Sequence, residues 1–478
     1  MGILADTDRD SIAGLEAGAV DSLRRMVAGD VLVSGDAGYD EARAVWNAMI
    51  DRRPAVIVRS RTREDVIAAV TFAGKHGQPV SVRGGGHNVA GHAVADGGVM
   101  VDLSSMNAVR VDPERARAIV DGGATWAAVD EATQEFGLAT PGGLISETGV
   151  GGLTLSGGIG WLRSRYGLAI DNLVSAEVVT ADGRVALASA TENEDLFWAL
   201  RGGGGNFGVV TSFEFALHPV GPTVMFAAPI YPISAGTGPI RAWRDFLADK
   251  HRTVGSLVEF STIPAIPDYP EAAWGQRVYT VAALYAGDPS EGEALLQPLR
   301  DLADPIVDVS GQMPYRDVQR LFDAVVPFGQ HRSYWKSRYL RDLGDEVIET
   351  IVAGNERPAS PNTLSSIWNF GGATADVEAD ATAFGDRSMP WMVSIDSIWD
   401  TASQDEANIA WTRAFWERLE PFSDGRLYLN FAGHGEDNDE LTRRAFGPNY
   451  ERLAAIKGRY DPTNMFRFNQ NIEPSADR

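Results

Sequence analysis

VRGGGHNVAGHAVADGGVMVDLS, residues 82–104, is the stretch that decides the fold. An extended apolar run (78–83) breaks at Gly84, Gly85 and Gly86, and the turn ends in His87. Glycine admits left-handed backbone and lets main chain come close to a ligand. Successive backbone N–H groups in such a turn make a nest for an anion such as a pyrophosphate. The residues alone allow two readings, a structural turn with a surface histidine or a cradle in which His87 meets a ring joined to the phosphates.

The next cluster outward weighs on that choice. Residues 141–173, PGGLISETGVGGLTLSGGIGWLRSRYGLAIDNL, hold nine glycines between 142 and 167, interleaved with Leu, Ile and Val. Glycines among apolar residues point to main chain lying against a planar ligand. A third cluster, Gly203-Gly204-Gly205-Asn206-Phe207-Gly208, matches the dinucleotide fingerprint G-x-G-x-x-G. That fingerprint requires a strand before it and a helix after it. Here a helix-like segment capped at Asn193 precedes and the β-branched run 208–215 follows, so a Rossmann site is not expected.

Around the clusters, short strands alternate with helices. Strands are expected at 54–60, 78–83, 98–103, 117–120 and 208–215, with a hairpin at 176–188 turning on Asp182-Gly183. Thr62 with Asp65 forms a capping box for a helix to Lys75, and Thr125 caps a second helix (126–136) stopped by Gly137. Beyond Pro219, aromatic and β-branched runs at Arg277–Tyr285, 334–340, Trp391–Trp399 and 426–431 alternate with amphipathic helices at 237–249 and 404–419. This pattern predicts an α+β fold with an antiparallel sheet covered by helices. Residues 1–220 are expected to form a cofactor-binding domain and 221–430 a substrate domain, with 431–478 returning to the first.

Composition excludes other classes. The 478 residues include no cysteine, which removes disulfides, thiolate metal sites, Fe–S clusters and cysteine nucleophiles. No H-E-x-x-H, Walker A or G-x-S-x-G sequence is present, and no metal site is expected. With 42 basic and 65 acidic residues the net charge is -23, which argues against nucleic acid and anionic membranes as partners. The acidic start, MGILADTDRD, lacks the pattern of a signal peptide, and a cytoplasmic enzyme is expected; no oligomeric state is implied.

Four motifs in order carry a resemblance. Arg83-Gly84-Gly85-Gly86-His87-Asn88, residues 148–172, RGGGGNFGVVTSFEF (201–215) and YDPTNMFRFNQNI (460–472) together resemble the berberine bridge enzyme-like flavoprotein oxidases. These belong to the vanillyl-alcohol oxidase superfamily, with its two-part FAD-binding domain of the p-cresol methylhydroxylase type. The resemblance implies FAD bonded covalently through its 8α-methyl to His87; His92 lies outside the matching motif. A second tether, a cysteine in many relatives, falls on Ile145, so this chain resembles the mono-covalent branch. Thr148 falls where the family gates oxygen; its small size implies that O2 is admitted. The remaining FAD shell falls on Gly149, Gly152, Thr154, Gly157, Gly158, Gly160, Asp171, Val210, Asn469 and Asn471.

The implied reaction is hydride transfer from a small alcohol, sugar or amine to FAD, with O2 reduced to H2O2. A dehydrogenase with another acceptor and a tailoring enzyme of oxidative cyclisation are the alternatives. Tyr428 matches the position of a catalytic tyrosine in the carbohydrate-oxidising relatives. Its phenol needs a nearby cation or hydrogen bonds to ionise, and Lys336 is one source of positive charge. Tyr334, Trp368, His331 and Trp391 are the expected substrate contacts. Strand alternation puts Tyr334, Lys336 and Arg338 on one face with Trp335 on the other, and Tyr428 together with Asn430.

Overall fold

A computed structural model describes Leu15, residues 18–385, 387–435 and 439–475. The acidic segment 1–10, read above as lacking a signal peptide, lies outside the described residues. Among the described residues, no helix is long and apolar enough to cross a membrane.

The first half of the chain builds two sheets. Asp30–Leu32, Val56–Arg59, Val99–Asp102 and Val80–Arg83 lie side by side in that order. Val99–Asp102 runs parallel to both Val56–Arg59 and Val80–Arg83. The crossover between the latter two is the helix Arg63–Lys75. It starts where expected, because Thr62 accepts from Asp65 N while Asp65 reaches back to the cap. The second sheet is antiparallel, in the order Val109–Asp112, Arg117–Asp121, Val209–Ala216, Leu173–Val179, Val185–Ser189. A helix, Glu194–Leu200, precedes the glycines of 202–208 and a strand follows them, which is the order opposite to a Rossmann turn.

The second half forms one antiparallel sheet of nine strands. Five of its strands run side by side in the order Arg277–Tyr285, Val254–Thr262, Leu364–Asn369, Trp391–Trp399 and, at the edge, Arg332–Leu340. Helices Gly238–Lys250, Asp345–Asn355 and Asp405–Arg418 cover one face. Val258, Phe260, Ile367, Val393 and Ile395 are buried against them. Alternation then sends the intervening residues of each strand to the opposite face, toward the first half of the chain.

Segment 426–431, expected as a strand, is not one. Tyr428 is extended, but Leu429–Phe431 closes a 3-10 turn, with Phe431 N bonded to Tyr428 O at 3.0 Å. Side-chain bonds outweigh the ladder here: Asn430 Nδ2 donates to Leu153 O (3.1 Å) and to Tyr428 Oη (2.8 Å), drawing the segment onto the glycine-rich loops.

The tail returns to the start. Val80 N donates to Met465 O (3.0 Å), and Met465 and Phe466 join the core of the four-stranded sheet. The turn that aims the tail is built on Lys457 and Asp461, both fully buried. Lys457 Nζ donates to Asp461 (2.8 Å), Asn206 O (2.8 Å) and Phe466 O (3.0 Å), and Asp461 accepts from Met465 N (2.8 Å) and Phe466 N (2.9 Å). Every charge is met, which makes removal of one partner expensive. Asp461→Ala should cost about 3–5 kcal/mol of stability, read as a lower thermal midpoint. An unchanged midpoint would show that the pair does not hold the tail.

Candidate active site

The glycine clusters meet by crossing. A Cβ on Gly85 would lie 2.4 Å from Gly149 N, and one on Gly149 only 2.2 Å from Gly85 N. Two loops therefore touch backbone to backbone. Gly149 also forms an isolated bridge with Thr125. The contact sets the His87 turn beside the Thr148 turn, and a long cavity opens over both.

The floor of that cavity includes Gly84, Gly85, Gly86, His87, Asn88, Thr148, Gly149, Gly152, Val210 and Asn469. The His87 ring stacks on Trp46, with centroids 4.8 Å apart and planes at 24°. Trp46 is itself fixed, its Nε1 donating to Val326 O at 2.8 Å and its N to Gly86 O at 3.0 Å. His87 Nε2 is buried without a hydrogen-bond partner, and burial pushes the imidazole down to about 4, so the ring is neutral at ordinary pH. A buried nitrogen with no partner in the chain calls for one from outside it.

Other expected shell residues stand away from the cavity. Arg83 Nη1 bonds to Ala42 O (2.8 Å). Asp171 is clamped by Arg387 at 2.6 and 2.8 Å. Thr154 is buried within its helix, and Asn471 bonds to Glu473 in an outer hollow. Gly157, Gly158 and Gly160 serve packing: a Cβ would meet Phe384 at 2.6 Å, Ala169 at 2.4 Å and Gly142 O at 1.7 Å respectively. The expectation that these glycines lie against a ligand is therefore corrected. Gly152 and Gly205 do fit it, because each lines the cavity and a Cβ on either meets nothing within 4 Å. That open space, the unpartnered Asn469 Oδ1 and the orphaned His87 nitrogen fit a large planar cofactor with a polar tail.

The far end of the cavity is the free face of the nine-stranded sheet. Trp368, Ser366 and Leu364 line it from one strand, Asp396 from the next, Trp335 from the strand beyond, and Glu259 from the other side. Parity corrects three expectations. Tyr334, Lys336 and Trp391 sit on the opposite, helix-covered face: Tyr334 Oη meets Arg413 Nε at 3.0 Å, Lys336 Nζ lies 4.0 Å over the Trp416 ring, and Trp391 packs on Trp243. His331 lies before its strand, bonded to Asp400 at 2.9 Å, and does not reach the cavity. Trp368 does.

Tyr428 also lines the cavity, 2% exposed, but its electrostatics differ from those expected. Its Oη accepts from Gly158 N (3.1 Å) and Asn430 Nδ2 (2.8 Å). Burial pushes the phenol up to about 12 despite these donors, and Lys336 faces away. A phenolate base at neutral pH is not supported there.

Two carboxyls stand nearby instead, neither picked out by the sequence reading. Asp396, 8% exposed, accepts from Ser394 Oγ (2.9 Å), which in turn accepts from Trp368 Nε1 (3.2 Å). Asp396 Oδ1 is buried with no partner. Burial pushes Asp396 up to about 7, with the Ser394 bond opposing. Glu259 is pushed up to about 8 by burial and by the facing charge of Asp396, with Arg277 opposing. The signal was in the sequence: Asp396 is the one charge inside WMVSIDSIW, and Glu259 the one inside VGSLVEFST.

The comparisons with known proteins agree with this geometry. Residues 54–189 match the family described as FAD binding domain, and 427–473 that described as berberine and berberine like. The (R)-6-hydroxynicotine oxidase of Paenarthrobacter nicotinovorans is 31% identical over 94% of this chain and 98% of its own length. The xylooligosaccharide oxidase of Thermothelomyces thermophilus is 29% identical over 90% of this chain and 89% of its own. The crystal structure of 6-hydroxy-D-nicotine oxidase from Arthrobacter nicotinovorans superposes with a TM-score of 0.83 at 29% identity, covering 94% of this chain and 98% of that one. Fold and matches define an FAD-linked oxidoreductase of the vanillyl-alcohol oxidase type. The chain belongs to the berberine bridge enzyme-like family.

Two glycine substitutions separate backbone crossing from ligand space. Gly85→Ala should lower both the thermal midpoint and flavin content, because the crossing must part. Gly152→Ala should stabilise its helix by about 1 kcal/mol while lowering flavin content, because its Cβ enters cavity space. Undiminished flavin in Gly152→Ala would place the cofactor elsewhere.

Proposed function

We propose that the chain is an FAD-dependent oxidase of a small alcohol or amine, with the flavin joined through its 8α-methyl to His87 and O2 reduced to H2O2. The observation that carries this reading is one cavity running from the orphaned His87 nitrogen and Thr148 to the carboxyls of Asp396 and Glu259. Bound FAD supplies the hydride acceptor. His87 anchors the ring system, and the backbone of Gly84–Gly86 and Gly149 supports it. Thr148, with its small side chain on the cavity floor, leaves room for O2.

The substrate's O–H or N–H proton needs an acceptor while its C–H faces the flavin. Asp396 is suited to that task. Its Oδ1 has no other partner, and its second oxygen is held by Ser394. Tyr428 stays neutral and serves as a polar wall, its ring oxygen held by Gly158 N and Asn430.

The pH dependence follows from the sign of the shift. Asp396 accepts a proton only when ionised, and its carboxyl is raised to about 7. The anaerobic rate of flavin reduction should therefore rise with pH through about 7 and fall tenfold per unit on the acid side. Asp396→Asn should lose about 100-fold or more in that rate together with the acid limb. Tyr428→Phe should keep the limb and lose less than about tenfold. Stopped-flow reduction by the best substrate of an amine, alcohol and sugar panel measures all three. A full rate in Asp396→Asn, or loss of the limb in Tyr428→Phe, would return the base to the tyrosine.

A further inference from the structure

We infer that the substrate is an amine whose nitrogen enters the cavity as a cation on an apolar frame, and not a carbohydrate; this rests on the oxidase reading of the same site. The cavity's sheet end combines two features that arise from different strands. One is the carboxyl pair. Glu259 and Asp396 lie on strands separated by Leu364–Asn369, at positions offset along it: Glu259 is opposite Ser366 and Asp396 opposite Leu364. The side chains share one face and one cavity.

The other is a box of aromatic rings. Phe431 meets Trp335 edge-on at 5.5 Å and Trp368 at 6.1 Å, and all three line the cavity beside the carboxyls. Aromatic faces attract an organic cation through their ring quadrupoles.

Among the described residues, no lysine or arginine lines the cavity to compete for this place. Arg277, the nearest opposing charge to Glu259, spends its donors on Asn355 O and Oδ1 (both 2.9 Å) and on Thr363 O (2.9 Å). A buried carboxylate without a counter-ion is costly, and two facing each other are more so. An entering ammonium group supplies the missing counter-charge, and a carboxyl still protonated releases its proton as the cation binds. The unpartnered Oδ1 of Asp396 gives that group a hydrogen-bond acceptor. A neutral polyol supplies no compensating charge and would meet Trp335, Trp368 and Phe431 with its hydroxyls.

The test uses the flavin-loaded enzyme, anaerobic, at pH 8. N-methylbenzylamine, its neutral isostere benzyl methyl ether, and xylobiose are titrated in parallel. Binding is followed by the quenching of tryptophan fluorescence, to which Trp335 and Trp368 contribute among the chain's 12 tryptophans, with the flavin spectrum recorded at each point so that any change from flavin reduction is separated from binding. The amine should bind at least about tenfold tighter than the ether and the disaccharide. In Glu259→Gln or in Asp396→Asn that preference should shrink to less than about threefold. Equal binding of amine and ether, tighter binding of xylobiose, or a full preference persisting in both variants would overturn the inference. The flavin spectrum of the same samples keeps the two claims apart. A flavin that no panel compound reduces would defeat the oxidase reading while the binding preference stands or falls by itself.

Discussion

Everything in the site hangs on one backbone contact, the crossing of the Gly84–Gly86 turn with the Glu147–Gly149 turn. Nothing larger than hydrogen fits on either side of it, since each glycine nitrogen sits where the other residue's Cβ would be. The contact joins the four-stranded sheet, through Val80–Arg83, to the helix Val150–Leu155 that leans on the five-stranded sheet. It also presents His87 and Thr148 to the same space.

The opposing wall obeys a second constraint, the two-residue period of the strand. Helices take the face rich in Val and Ile, so the residues between those apolar positions must face the first half of the chain. That single parity choice selects Trp335 over Tyr334 and Lys336, Trp368 over Trp391, and Asp396 over Ile395. It puts carboxyls into a largely apolar wall that, among the described residues, no lysine or arginine lines. Burial raises the proton affinity of both, and the charge of Asp396 raises that of Glu259 further.

The cofactor half was legible because its function is local in sequence. A tight glycine turn ending in histidine, a capping box and a hairpin at Asp182-Gly183 each declare themselves within a few residues, and the ordered motifs located the family. The glycines at 157, 158 and 160 were misread for a physical reason: close packing on Phe384, Ala169 and Gly142 demands glycine as strictly as a ligand does. The substrate half was less legible because its site is assembled across strands. Which face of Arg332–Leu340 looks inward depends on where helices from elsewhere dock, and the alternation pattern is the same for either answer. Tyr428 lines the cavity, yet Lys336, the cation expected beside it, lies on the helix-covered side of the sheet. Lone charges inside otherwise apolar strands, at Glu259 and Asp396, were the available clue.

The most direct measurement concerns the tether, since cavity, cofactor and family branch all converge on it. Purified protein is precipitated in acid, and the pellet is digested and its flavopeptide mapped by mass spectrometry. The account predicts flavin that stays with the pellet and an FAD-derived mass on the peptide carrying His87. Flavin released to the supernatant, or a modified peptide that excludes His87, would contradict it.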